Sequence, residues 1–127
     1  MRLALSLLLA TLAAGCTAPA PTATSALQVT VVAGPTCPVV SDPPDPECAD
    51  RAVEGAELIV QDGAGVEVAR IRTDGDGAAA VELPPGRYLV VPQPVEGLMG
   101  TAPPVAVTLV RGVEAELVTI AYDTGIR

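Results

Sequence analysis

Apolar residues in this chain recur at every second position in short runs, and not at the three-to-four spacing of a helix. Ala56, Leu58 and Val60 alternate with Glu57 and Gln61, and Val105, Val107 and Leu109 flank Thr108. A period of two puts one side of a strand against a core and the other in solvent. Gly, Pro and Asp punctuate the runs, which predicts strands over 27–33, 56–62, 66–72, 78–83, 87–91, 105–110 and 113–122. Seven strands at this spacing predict an all-β fold, a seven-stranded antiparallel Greek-key β-sandwich. The alternation slips from Val66 and Val68 to Ala69 and Ile71, and again from Leu117 to Val118, Ile120 and Tyr122, so a bulge is expected at each place.

The first residues, "MRLALSLLLATLAAGC", have one arginine, an apolar run from Leu3 to Ala14 and small residues leading into Cys16. That is the layout of a signal peptide, and the run is shorter than the about 20 residues of a permanent span. The segment Leu12-Ala13-Ala14-Gly15-Cys16 resembles a bacterial lipoprotein signal, in which the cysteine is lipidated and becomes the mature N-terminus. The resemblance implies a palmitate-bearing lipid on Cys16 and a place in the bacterial cell envelope, either on the outer face of the membrane or in the periplasm of a two-membrane cell. The alternative is ordinary secretory cleavage with Cys16 a free thiol. Expected domains are a signal peptide over 1–15, a Pro/Ala/Thr-rich tether over 16–26 and one sandwich over 27–127.

Lipidation of Cys16 leaves two cysteines, Cys37 and Cys48, within "CPVVSDPPDPEC". In an oxidising compartment a disulfide between them is expected. A zinc site needs four ligands, and the chain has no histidine and no further free cysteine. Redox pairs are usually spaced C-x-x-C, which this pair is not. The stretch therefore reads as a stapled loop. Composition narrows the rest: Lys, Asn, Phe, Trp and His are absent, so Val, Leu, Ile and Ala must build the core, with Tyr88 and Tyr122 the only aromatics. A formal charge of −8 argues against nucleic acid and against an anionic membrane surface as partners.

The span "VEGAELIVQDGAGVEVARIRTDGDGAAAVELPPGRYLVV", residues 53–91, resembles the carboxypeptidase regulatory-like module of the transthyretin-like sandwich superfamily. The matching elements are Gly55-Ala56, Thr73 through Gly77, and Leu83-Pro84-Pro85-Gly86-Arg87-Tyr88. The resemblance implies a transthyretin-like sandwich that serves as an accessory or surface module, without catalysis and without a cofactor. Related pilin-type modules form Lys–Asn isopeptide cross-links, which a chain lacking both residues cannot make; the disulfide would take over the stapling. The family usually places an aromatic two residues after its Asp-Gly, where this chain has Ala79. Either the core is looser there, or Met99 or Tyr122 fills that space.

Three chemical readings compete with a binding module. Asp123-Thr124-Gly125 spells the aspartic-protease triplet, but that chemistry needs paired carboxylates at the centre of a fold, so a structural tail is expected. "TDGDG" resembles a calcium loop, yet with Gly77 at the sixth position Arg72 and Leu83 fall where carboxylates belong. A turn is expected there, with Asp74 and Asp76 kept as an alternative weak calcium site. Glycan binding, the other alternative, leans on exposed aromatic faces. Without histidine there is no Ser-His-Asp triad, and without lysine no Schiff base.

Strand direction predicts where binding would sit. If each strand reverses the last, connections 34–55, 73–77 and 92–104 share one end with residues 123–127, and the short turns and the tether share the other. Loops on a rigid sandwich usually carry recognition residues. The expected partner surface is Asp42, Asp45, Leu98, Met99 and Arg127, facing an unidentified envelope or extracellular protein. Met99 is expected either as an inward plug beside Ala79 or as an exposed contact.

Overall fold

The computed structural model describes Gly15 and residues 23–127. Among these, eight strands form two sheets of four. One holds β1 (Ser25–Gly34), β2 (Arg51–Ala52), β5 (Ala78–Leu83) and β8 (Ala115–Asp123); the other has the order β4 (Glu67–Arg72), β3 (Glu57–Asp62), β6 (Gly86–Pro92), β7 (Val105–Leu109). The first sheet is organised around β1. Along one edge β1 pairs with β8 from Ala26↔Ala115 to Gly34↔Asp123, and along the other with β5 and then β2.

The β1–β8 pairing is parallel, which corrects the expectation of a wholly antiparallel sandwich. Its cause is the count of reversals. The first and last long strands run the same way, so when the sandwich brings them side by side their ladder can only be parallel. The additional strand, β2, has just two residues, too few for any alternation to show, and pairs Arg51 with Ala33 and Ala52 with Val32.

The alternation read from the sequence becomes the core. Leu27, Val29, Val31 and Ala33 of β1 face Leu58, Val60 and Val90 of the opposite sheet, and Val118, Ile120 and Tyr122 of β8 join them, all buried. With no Phe or Trp, Tyr122 is the largest fully buried side chain. Each Leu, Ile or Val among them contributes roughly 1.5–3 kcal/mol by leaving water. The slip in β4 is a bulge: Val60 pairs with Ala69 but Gln61 with Glu67, leaving Val68 as the extra residue. The slip expected in β8 is absent, since its register with β1 is continuous. Leu117 simply points outward, 73% exposed.

Two of the sequence elements behind the family resemblance meet in space. The Thr73 hydroxyl, buried, donates to the Val53 carbonyl at 2.5 Å and accepts from the Ala56 amide at 2.9 Å. The Gly55 amide donates to the Thr73 carbonyl and the Thr73 amide to the Ala56 carbonyl, at 2.9 and 3.0 Å. A single threonine thus ties the entry of β3 to the exit of β4. The third element is closed by Tyr88, half-buried at the rim of the core, whose hydroxyl donates to the Pro84 carbonyl.

Candidate functional site

Because β1 and β8 end together, the start of the stapled loop and residues 123–127 emerge side by side. The Thr124 amide donates to the Gly34 carbonyl at 3.1 Å, and its hydroxyl to the Pro35 carbonyl at 2.5 Å. Loop 93–104 joins the same end through Met99, whose amide donates to the Asp123 carbonyl at 2.9 Å and whose sulfur lies against Gly125. Turn 73–77 lies at this end as well, where the Val31 amide donates to the Gly77 carbonyl. At the opposite end the Ser25 hydroxyl donates to the Val110 carbonyl, holding the start of β1 beside the turn before β8.

Within this end the stapled loop is self-contained. Cys37 and Cys48 are bonded, with Cα atoms 5.3 Å apart. The Asp45 carboxylate accepts from the Glu47 amide at 2.9 Å and caps the short 3₁₀ turn Pro46–Cys48, while the Asp45 amide donates to the Ser41 hydroxyl at 3.1 Å. Asp42 is exposed. No residue from Pro35 to Asp50 is buried, so the loop stands outside the two sheets.

The remaining residues of the expected surface divide by role. Leu98 is half-buried and packs on the core, whereas Met99 is 59% exposed, so the structure rules out Met99 as a plug. Tyr122 does not sit beside Ala79 either: they pair with Ala33 and Val29 of β1, about 13 Å apart at the rise of a strand. Arg127 folds back onto Asp123, Nη2 to Oδ2 at 2.9 Å. That guanidinium, helped by the Gly125 amide, holds the Asp123 carboxyl below its usual range. The Asp-Thr-Gly triplet is therefore a clamp joining the tail to β1 and closing its own turn. Cys16 lies outside the described residues.

Sequence reasoning missed Val39 and Val40, which are 73% and 94% exposed in the stapled loop. The signal was present in "CPVVSDPP": two adjacent valines fall outside any strand, in a loop whose prolines and staple give neither a core to enter. The residues of the two alternatives are used structurally. The Asp74 carboxylate accepts from the amides of Asp76 and Ala78 at 2.9 and 3.0 Å, forming the turn that Gly77 completes at φ 72°. Of the two aromatics, Tyr122 is buried and donates to the Gln93 carbonyl at 2.6 Å, and Tyr88 is the half-buried rim residue. Among the described residues, no group of three or more Cys, Asp or Glu side chains is placed to hold a metal ion.

No protein-family model matches this chain, and no curated protein matches it. Solved structures do resemble it. A minor pilin of Streptococcus agalactiae superposes with a TM-score of 0.61 at 16% identity, over 80% of this chain and 45% of the pilin. The shaft pilin SpaA of Lactobacillus rhamnosus GG gives 0.61 at 12% identity, over 79% of this chain and 49% of that one. The TIE protein of Bacillus anthracis gives 0.57 at 18% identity, over 78% of this chain and 17% of that one. The chain thus spans less than half the length of each of these three proteins. At these identities the likeness establishes the fold: an all-β sandwich of the kind found as a unit within pilins.

Proposed function

We propose that this chain is a non-catalytic, lipid-anchored β-sandwich of the bacterial envelope, carrying its lipid on Cys16 and binding another protein through its long-loop end. The observation that carries the reading is that exposed Val39, Val40 and Met99 all stand at one end of the sandwich, on segments linked through Asp123, Thr124 and Pro35. Clustered exposed apolar side chains mark interaction sites on proteins that are otherwise soluble. The shape shared with units of pilins supports a structural surface role over a catalytic one, and the absence of histidine and lysine removes the commonest nucleophile and base chemistry. Since the tether reaches the sandwich at the Ser25–Val110 end, a lipid at Cys16 tends to hold that end near the membrane and turn the long loops outward.

Two measurements test this. Intact mass of chain extracted from membranes reports whether Cys16 is acylated, and an unmodified thiol there refutes the anchor. Val40→Asp with Met99→Asp leaves the melting temperature unchanged but abolishes complexes trapped by formaldehyde in intact cells, whereas Val113→Asp with Leu117→Asp retains them. Equal trapping by both pairs refutes binding through the long-loop end.

A further inference from the structure

In the stapled loop Pro35, Val39, Val40, Pro44 and Pro46 line an open groove of about 320 Å³ beside the Cys37–Cys48 bridge. Its lining is mostly apolar and includes two acidic residues, Asp45 and Asp50. Asp50 packs so closely on Gly34 that any side chain at 34 would displace its carboxylate. Along this loop the charge is predominantly negative. Residues 35–51 contain Asp42, Asp45, Glu47 and Asp50 against one basic residue, Arg51, which directly follows Asp50. The nearby basic side chain of the tail, Arg127, is already spent on Asp123.

Resting on the protein-binding reading above, we infer that this groove docks an extended segment of a partner protein that carries a basic side chain beside an apolar one. The volume admits two or three side chains and lies at the small end of ligand pockets, about 300–1,000 Å³. An apolar residue of the partner lies against Val39 and Val40, and the neighbouring Lys or Arg reaches Asp45 or Asp50. The surrounding carboxylates steer a cationic segment in and repel an acidic one. Prolines and the disulfide hold the loop in place before binding, which lowers the ordering cost of a small contact. Specificity then comes from rejecting acidic segments, in keeping with the acidity of the whole chain.

The test uses the full chain, ¹⁵N-labelled in micelles, titrated with capped hexapeptides. One alternates Arg with Val, a second replaces Arg by Glu, and a third replaces Val by Ser. The Arg-Val peptide shifts the amides of Val39, Val40, Ser41, Ala49 and Asp50, saturably and more weakly as salt rises. The other two leave them in place. Val39→Ser with Val40→Ser, and separately Asp45→Asn with Asp50→Asn, each weaken binding by about tenfold or more while the amides of the sheets keep their positions. Equal binding of the three peptides, or shifts elsewhere on the sandwich, overturns the inference. So does movement of the same amides on dilution without peptide, which would make a second copy the occupant. If complexes are still trapped through Val40 and Met99 in cells while the peptides leave the groove untouched, the protein-binding reading stands and the basic–apolar specificity falls.

Discussion

Replacing Gly77 by alanine probes the contact that sets turn 73–77 against β1. Gly77 has φ 72°, and a Cβ built there lies 2.5 Å from the Val31 carbonyl oxygen and 3.2 Å from both the Val53 amide nitrogen and the Ala52 Cβ. It would enter beside the Val53 amide to Val31 carbonyl hydrogen bond, 3.0 Å long, where backbone must yield. The left-handed conformation costs about 1–2 kcal/mol for a residue with a Cβ. Forcing the backbones apart adds about 1–3 kcal/mol. Gly65 supplies the control: φ is 80° and nothing lies within 4 Å of a methyl added there, so Gly65→Ala carries the conformational cost alone. Thermal and urea unfolding of the full chain should show Gly77→Ala less stable than Gly65→Ala by at least about 1 kcal/mol, or about 4–8 °C in melting temperature for a domain of this size. Equal losses in the two variants would refute the close approach of the turn to β1.

Thr73→Val removes a hydroxyl that serves Val53 and Ala56 at once, so a cost of roughly 2–4 kcal/mol is expected in urea unfolding, with Thr73→Ser much milder because it keeps both bonds. Tyr122→Phe should cost about 1 kcal/mol for its bond to Gln93. Burial holds the Tyr122 phenol above its ordinary value near 10, so above that pH the unfolded chain releases a proton that the folded chain retains. Wild-type stability therefore falls as pH rises past about 10, and melts across that range should show a shallower fall in the Phe variant. Reducing Cys37–Cys48, eleven residues apart, should remove about 2–3 kcal/mol while circular dichroism of the sheets persists, because no loop residue enters the core.

Most of the sandwich was legible because its signal is local. Leu58 and Val60 alternate with polar neighbours, and the structure buries both; the extra residue Val68 upset the phase within its own strand. The parallel pairing of β1 and β8 was hidden because it joins residues far apart in sequence, and counting reversals gives direction without adjacency. Leu117 suggests a bulge only if hydrophobicity is equated with burial, although single exposed apolar residues are ordinary on protein surfaces. Met99 was undecidable from sequence, since its place depends on the bridge to Asp123, a contact between two segments that share no pattern. Val39 and Val40 are overshadowed in sequence by the cysteines and acids of the same loop, and an adjacent pair carries no periodicity to show which way it faces.

Photo-crosslinking in living cells tests the central claim most directly. A photoreactive side chain is placed singly at Val40, Met99, Val113 or Leu117 of the full chain, all four exposed and apolar, the first two at the long-loop end, Val113 beside the short turns and Leu117 on a sheet face. Cross-links to one discrete protein band from Val40 and Met99, and none from Val113 or Leu117, are the predicted result. Cross-links confined to Val113 or Leu117, or absent from all four, would contradict a binding surface at the long-loop end.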